Sequence, residues 1–458
     1  GFSQIPNLPT VPTPGTHTFQ NHAEQSLSGS QKNTSSTVLQ NYGNINNIRA
    51  ERQNIKVLQR DVDRFEQDKK ENEKTEFLNR VKDLEKSGYR LPSLENMACT
   101  GHYYEAFSKL SRLDLEHYSV AEAVFIVENP FYNGKMDFHE FIGEIRKTAK
   151  QVIKRMKDDR VDIGDNTMKN IALFRHFSKA YKYDFDDYFG SKDWSKMFVS
   201  KLIKTGKGQC HSMPLLYLVI AEQIGAEASL STAPNHTYIR FLDSENQWQN
   251  IELTNGILTT NSMILQSGYI GSEAVQSGIY MNSLDKKQLM SNFYADLANG
   301  YMHKFGMDEF VGKTLDKALE LHPDNMYANL LKSIYQQARF KYVTDNLGIK
   351  DPEDPQQLQD IRYFSGAVEL LQQTKAQFDK IDNLGFRLMS GEAYSEWLSN
   401  MGKEESRRQS EEIAENIKRV NVEMQRKKQQ EQKKNLEQGK KPKEKQNPKY
   451  IPIDPTRL

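Results

Sequence analysis

The chain has 458 residues, of which 37% are hydrophobic and 27% charged, with a formal net charge of +1. This length predicts two or three globular units plus solvated tails, because single domains seldom exceed about 250 residues. The balanced charge argues against a nucleic-acid partner, and no apolar run reaches the roughly 20 residues of a membrane-spanning helix.

Composition divides the chain into five segments. They are a disordered polar arm (1–46), a charged helical segment (47–117), a core with a helical prelude (118–285), a helical-repeat segment (286–402) and a charged helix with a basic tail (403–458). The arm is rich in Pro, Ser, Thr, Asn and Gln without hydrophobic periodicity, which is typical of disorder.

The charged helical segment carries one narrow apolar seam, which Pro92 later interrupts. A three-four-three spacing puts the seam on one face of a helix that could dock on a domain or a partner helix. The seam residues are Ile55, Leu58, Val62 and Phe65. Further helices are predicted over Tyr104–Leu113, Val120–Val127, Phe138–Met156 and Ile171–Ile203.

A buried helix and two strands are predicted in the centre of the chain. Leu215–Ile224 is almost wholly apolar and precedes Gly225, a common helix stop. Residues 236–241 and 248–253 alternate between two faces, as half-buried strands do. The predicted fold class is therefore α+β, a mostly helical chain with a small antiparallel sheet.

Helical patterns return after residue 285. Thr314–Ala328 places alanine, aliphatic residues and a helix-ending proline as a tetratricopeptide unit does, and a second helical pair is predicted over Ile361–Leu398. Beyond Lys403 a brief heptad-like seam predicts a solvated helix, with a docking helix for a protein partner as the alternative. That seam consists of Ile413, Ile417, Val420 and Met424.

The chain has two cysteines, Cys99 and Cys210, which exclude a disulfide framework and a cysteine-rich zinc module but leave one disulfide open. The cluster of Asp184, Asp186 and Asp187 lacks the glycine and the distal glutamate of a calcium loop, so it predicts a solvated loop. No H-E-x-x-H motif is present. We therefore expect no metal and no cofactor.

Cys210 follows a glycine turn and precedes an apolar helix, where a helix N-terminus can stabilise a thiolate. His236 opens one predicted strand, and Glu252 lies on the next. Cysteine, histidine and a carboxylate are the parts of a thiol nucleophile, its base and the group that orients the base. The neighbouring His211 is expected to point elsewhere and to be structural.

A hairpin centred on Ser244 would pair His236 directly with Glu252, on one face of the sheet and about 5 Å apart. The carboxylate could then fix the ring of His236 while its other nitrogen faces the sulfur. The backbone N–H of Cys210 is the first candidate oxyanion donor. Gln209 and Trp194 are candidates for the second.

The stretch Thr205–Gly256 resembles the transglutaminase-like superfamily of papain-type cysteine folds. Gly208-Gln209-Cys210 resembles the Gly-x-Cys at the head of that family's core helix, and Pro234-Asn235-His236 resembles the start of the strand that carries its histidine. Trp248 to Thr254 resembles the stretch with the third triad member, which is normally Asp and here is Glu252. The resemblance implies an α+β core and thiol chemistry on amides, by hydrolysis or acyl transfer.

A wider resemblance is to a bacterial branch with a helical prelude and a trailing tetratricopeptide segment, the SirB type. Ala121–Pro130 and the helix from Phe138 resemble that prelude. The likeness spans roughly residues 118–400.

Two functions compete. The first is a cysteine-dependent amide hydrolase or acyltransferase that acts on a protein or peptide through Cys210, His236 and Glu252. The second is a non-catalytic scaffold that docks protein partners through the N-terminal arm and the C-terminal charged helix. The absent first Met, low cysteine use and polar arm lead us to expect an exported bacterial envelope or periplasmic protein, with a cytoplasmic one as the alternative.

Overall fold

The computed structural model describes residues 45–187, 190–234, 236–259 and 278–386, and the single residues 261, 264, 396, 399, 400 and 403. The predicted polar arm falls outside the described residues except at its last two positions, and the C-terminal charged helix with its apolar seam falls outside them except at Lys403. The chain divides into two compact units after Ser395, and the first unit contains everything described below.

The described part of the first unit is mostly helical, with a small antiparallel sheet. Helices α1 to α12 span Ile45–Ser87, Gly101–Leu110, Val120–Glu128, Phe138–Asp158, Asn166–Ala180, Val199–Thr205, Ser212–Ile224, Lys286–Phe305, Glu309–Leu321, Met326–Asn346, Pro355–Leu358 and Ser365–Asn383. Strands β1 to β6 span Lys182–Tyr183, Lys207–Gly208, Ser229–Ala233, His236–Leu242, Trp248–Glu252 and Ile257–Thr259. The sheet order is β3-β4-β5-β6, and β1 and β2 form a separate parallel pair. This confirms the predicted α+β class.

Helix α7 forms the centre of the core. Its residues from Ser212 to Ala221 are all buried, and α4, α5 and α6 pack against it. Pro214 lies in its first turn, where a missing N–H costs little. Gly225 ends the helix with φ +64°, the left-handed conformation that glycine adopts without strain. The predicted apolar helix and its stop are confirmed.

The single helix predicted over Ile171–Ile203 is wrong, because α5 ends at Ala180 and α6 begins only at Val199. Between these two helices β1 pairs with β2. The side chains of Asp184 and Asp193 each accept a hydrogen bond from the backbone N–H two residues on, at 3.1 and 3.0 Å. Such local bonds compete with the helical ladder.

The segment before α8 ties the sheet to the helices that follow. The backbone N–H of Met281 donates to Thr232 O and that of Leu284 donates to Leu230 O, both at 2.9 Å. These bonds satisfy the outer edge of β3. Ile279 and Tyr280 also pack in one apolar cluster with Tyr238 of β4, so both hydrogen bonds and apolar contacts join this segment to the sheet.

Helices α9 and α10 form the pair predicted from the helix-ending proline. Helix α9 stops at Leu321, and α10 begins at Met326, where the side chain of Asn325 accepts the N–H of Ala328 at 3.1 Å. The turn between the two helices therefore contains Pro323, as the pattern predicted. Whether this pair is a tetratricopeptide unit stays a prediction.

Helix α1 extends away from the rest of the unit. Among the described residues its last turns pack, with Leu84 buried against Phe340 and Val343 of α10. The helix ends at Ser87, before Pro92, because Gly88 takes a left-handed φ of +64°. Its predicted apolar seam is exposed, at 63% for Ile55, 63% for Leu58, 50% for Val62 and 70% for Phe65. Within the described residues no helix has the length and apolarity to cross a membrane.

The hairpin of β4 and β5 has a register two residues away from the predicted one. Arg240 pairs with Asn250 and Leu242 with Trp248, so the hairpin centres on Glu245 rather than Ser244. The direct pairing of His236 with Glu252 is therefore wrong, and the two are diagonal neighbours. A shift of two residues keeps every side chain on its face, whereas a shift of one would not.

The loop explains this register. Asp243 N donates to Gln247 O at 3.0 Å, and Asn246 between them has a left-handed φ of +58°. Three-residue hairpin loops commonly combine a turn with one left-handed residue, and Asn tolerates that conformation.

This loop geometry makes Asn246 a test of the register. Replacing Asn246 with Gly should leave the free energy of unfolding within about 0.5 kcal/mol of the parent value. Replacing it with Val should lower that free energy by about 1–2 kcal/mol, because a β-branched residue is strained at positive φ. Denaturant unfolding of both variants measures the difference. Equal values for Val and Gly would contradict the assigned loop.

Candidate active site

Cys210 lies at the junction of β2 and α7, and its position is fixed by close packing behind it. A Cβ added to Gly208 would come within 2.8 Å of Ser212 Oγ and 3.0 Å of Leu202, so a larger residue would have to displace these side chains. The backbone N–H of Gln209 donates to Ser212 Oγ at 2.9 Å. Cys210 is therefore held just before the first turn of α7, where the helix dipole favours a negative charge.

Cys210 is half-buried and Cys99 is exposed, and both side chains are reduced thiols. The disulfide that the sequence left open is therefore not formed. The side chains of Cys210 and His236 are close enough to interact electrostatically. This brings the predicted nucleophile and its predicted base together.

His236 and Glu252 form a buried ion pair behind the thiol. The Nε2–H of His236 donates to Glu252 Oε2 at 2.5 Å, and the two residues are only 8% and 5% exposed. The second carboxylate oxygen, Oε1, accepts the backbone N–H of Thr254 at 2.8 Å. Since Nε2 is engaged with Glu252, Nδ1 is the ring nitrogen left to exchange a proton with the thiol. All three predicted residues therefore meet, although the register was predicted wrongly.

In this pair the charge on each residue favours the ionised form of the other. Burial opposes protonation of His236, but the Glu252 carboxylate and the nearby Cys210 outweigh it and raise the pKa of His236 to about 10. Burial likewise opposes ionisation of Glu252, but the His236 imidazolium holds its pKa below the ordinary value. His236 is therefore an imidazolium at neutral pH. A cation there favours a thiolate at Cys210.

Of the two side chains predicted as second oxyanion donors, that of Gln209 is committed to backbone carbonyls and that of Trp194 lies against α8. The side-chain amide of Gln209 is fully buried and donates both N–H groups to backbone carbonyls, Asp184 O at 2.8 Å and Asp187 O at 3.0 Å. The buried indole N–H of Trp194 lies against α8, where its ring stacks on His303 with centroids 4.1 Å apart. Gln209 therefore braces the loop, and the Cys210 N–H stays the predicted oxyanion donor.

Two residues of the aspartate cluster, Asp184 and Asp187, make contacts that hold the loop in place. Asp184 forms an ion pair with Lys196 at 2.7 Å, and Asp187 accepts the backbone N–H groups of Lys192 and Asp193. Asp187 is buried, so the loop is less solvated than predicted. Within the described residues no group of three or more His, Cys, Asp or Glu side chains could hold a metal ion.

Sequence reasoning missed two carboxylates near the site. Glu128 at the end of α3 accepts the N–H groups of Val199 and Ser200 at 2.6 and 2.9 Å and so caps α6, and burial raises its pKa to about 7. Asp296 of α8 accepts a hydrogen bond from His211 at 2.9 Å. Neither carboxylate has a local sequence signature, because each bond joins residues that are far apart along the chain.

Replacing Glu252 with Gln tests the buried ion pair, because it removes the charge and keeps the shape. Breaking such a pair typically costs about 3 kcal/mol. The raised pKa of His236 gives stability that is fully present below its ordinary value of 6.5 and is lost as pH rises through about 10. The lowered pKa of Glu252 gives stability that is present above 4.5 and is lost in acid.

The parent–variant difference in unfolding free energy should therefore be largest near about pH 6 and should shrink toward pH 10. Denaturant unfolding at a series of pH values measures it. A difference that stays constant with pH would contradict the ion pair.

Residues 139–293 match the family model described as the Transglutaminase-like superfamily. This stretch covers less than half of the chain, runs from α4 into α8, and contains Cys210, His236 and Glu252. No curated protein and no solved structure matches the chain. The chain thus carries a transglutaminase-like superfamily domain at residues 139–293, a family with a papain-like cysteine enzyme fold.

Proposed function

We propose that this protein is a thiol-dependent amide hydrolase or acyltransferase that acts on a protein or peptide. The observation that carries the proposal is the 2.5 Å bond between His236 and Glu252, with His236 close enough to Cys210 for the two to interact electrostatically. A half-buried thiol, a charged imidazole and a buried carboxylate form the arrangement that thiol acyl transfer needs. The match of this stretch to the transglutaminase-like family supports the same chemistry.

The proposed reaction has two halves. The Cys210 thiolate attacks the carbonyl carbon of an amide, and the pair of electrons of the C=O bond moves to oxygen. Collapse of this adduct breaks the C–N bond while the His236 imidazolium gives a proton to the departing amine. The acyl group remains on sulfur as a thioester.

In the second half His236 is neutral and acts as a base. It takes a proton from the attacking water or acceptor amine, and the adduct expels the Cys210 thiolate. Water gives a carboxylic acid, and an amine gives a new amide. Glu252 holds the ring in place throughout and stabilises its charged form.

We also propose that the helical surroundings follow the SirB type. Helix α3 precedes the matched domain and caps α6 through Glu128, and the α9–α10 pair follows the domain with its Pro323 turn. The order of prelude, core and helical pair supports this assignment, in which α9 and α10 form a tetratricopeptide unit.

An activated ester tests the reaction directly, in a Cys99→Ser background that removes the exposed second thiol. In that background, p-nitrophenyl acetate should give a burst of p-nitrophenolate that is stoichiometric with protein, and mass spectrometry should find the acetyl group on Cys210. Cys210→Ser should abolish the burst, and His236→Asn should slow it by about 100-fold or more. Acetylation of other residues alone would contradict the proposal.

A second function, self-association through α1, is favoured by the exposed seam on that helix. We propose that the occupant of the seam is α1 of a second copy, running antiparallel. That pairing sets Ile55 against Phe65 and Leu58 against Val62, so the four apolar positions complement themselves. It also sets Glu51 against Lys69, whereas a parallel pairing in register sets Glu51 against Glu51.

Charge exchange tests this pairing. Sedimentation of the full chain should show a dimer that Phe65→Glu abolishes and Glu51→Lys weakens. The double variant Glu51→Lys/Lys69→Glu should restore it, because the opposite charges are exchanged. A parent that stays monomeric at all concentrations would contradict the pairing. So would cross-linking of α1 to residues 413–424 of the same chain.

A further inference from the structure

His211 directly follows Cys210, and both of its ring nitrogens face hydrogen-bond acceptors. Nδ1 lies 3.1 Å from the backbone oxygen of Met197, and Nε2 lies 2.9 Å from Asp296 Oδ1. A carbonyl oxygen and a carboxylate oxygen can only accept, so each ring nitrogen must carry a proton. These contacts therefore hold His211 as an imidazolium.

We propose that His211 is a second imidazolium that stabilises the Cys210 thiolate, and that Asp296 is the positioning residue that keeps His211 charged. The inference rests on the proposed function, because it concerns the same thiol. It goes beyond that function by giving the site two histidines with different tasks. His236 gains and loses a proton in each turnover, while His211 keeps its charge.

A constant charge beside the thiol has a chemical use. When His236 has given its proton to the leaving amine, the His236–Glu252 pair has lost its positive charge. The second half of the reaction then has to expel a thiolate from the adduct. His211 still supplies a positive charge on the residue next to Cys210 at that moment, and the two interact electrostatically although 29% of the His211 side chain is exposed.

Asp296, the residue that keeps His211 charged, lies outside residues 139–293, the stretch that matches the family model. Asp296 is on α8, beyond the last matched position, 293, and is only 7% exposed. Burial, together with the nearby Asp296 carboxylate, raises the pKa of the Tyr327 hydroxyl on α10. That hydroxyl accepts the side-chain N–H of Asn299 at 2.9 Å. The charge beside Cys210 thus depends on how the trailing helices dock.

Other ionisable groups around His211 agree with its charge. Glu128 of α3 interacts with it favourably, and the pKa of Glu128 is raised to about 7 by burial. His303 of α8 is neutral at pH 7, because burial lowers its pKa to about 4. Burial opposes the charge of His211 itself, but Asp296, the Met197 carbonyl and Cys210 together raise its pKa to about 9.

A small cavity of about 10 Å³ completes these surroundings. It is lined by Glu128, Trp194, His211 and Asp296 together with apolar side chains. The space is close to that of one water molecule, and several polar groups border it. On this side His211 therefore borders a small, partly open space.

The first readout is the protonation of the ring itself. In the full chain labelled with ¹⁵N-histidine, the signals that disappear in His211→Gln identify His211. Both ring nitrogens should be protonated at pH 7.5 in the parent, and Asp296→Asn should lower the pH at which one proton is lost. A neutral His211 ring in the parent would overturn the inference.

The second readout is the pH profile of Cys210 alkylation by iodoacetamide, measured in the Cys99→Ser background. His211→Gln should raise the midpoint by about one pH unit, which is a tenfold loss of thiolate at lower pH. His211→Lys should restore the midpoint because it restores a cation, whereas a structural role would not distinguish Lys from Gln. Asp296→Asn gives a separate variant with the histidine retained, and it should also raise the midpoint.

The outcomes separate this inference from the proposed function. A low midpoint in the parent that is unchanged in His211→Gln and Asp296→Asn would overturn the role of His211 alone. An ordinary midpoint in the parent would overturn both. A raised midpoint in His211→Gln with rescue by His211→Lys would support both.

Discussion

The buried contact between His236 and Glu252 is the interaction on which the rest of the site depends. Two ionised groups taken out of water are costly unless they meet each other with good geometry. Here the two atoms are 2.5 Å apart, and Thr254 satisfies the second carboxylate oxygen. The pair can form only if β4 and β5 keep both residues on one face. The β4–β5 hairpin thus both contributes to the core and positions the two charged residues.

Close packing likewise fixes the position of Cys210 on the other side of the site. Gly208 lets β2 approach Ser212 and Leu202 more closely than any other residue would, and Gln209 ties the loop to two backbone carbonyls. These contacts leave Cys210 at the end of a buried helix, facing the sheet that carries His236. Neither half of the site contains all the groups that the proposed chemistry needs. A thiol without the sheet has no base, and the sheet without α7 has a buried cation with no sulfur beside it.

The helices beyond the matched domain are part of this arrangement. Met281 and Leu284 hydrogen-bond to the edge of β3, and Asp296 of α8 holds the histidine next to the nucleophile. A chain cut at the end of the family match would lose Asp296. For this reason the catalytic and the scaffold interpretations of the sequence are not exclusive, since the trailing helices contribute to the same core.

Much of the site could be predicted because its sequence patterns are local. The apolar run of α7, its glycine stop and the alternation of the two strands each follow from a few neighbouring residues. The hairpin register could not be predicted, since it depends on Asn246 taking a left-handed conformation that other residues in that polar loop could also have supplied. The break between α5 and α6 depends on Asx turns and on pairing with a distant strand. Asp296 lies 85 positions from His211, so only the folded chain shows their contact.

The proposed chemistry requires that His236 activate the thiol of Cys210. The rate of Cys210 alkylation against pH measures this activation, in the parent chain and in His236→Ala, with Cys210→Ala used to subtract Cys99. We expect a fast rate whose midpoint lies well below the ordinary thiol value of about 8.5 and rises when His236 is removed. A slow rate with an ordinary midpoint in both proteins would contradict it, and the three residues would then be a feature of the fold without chemistry.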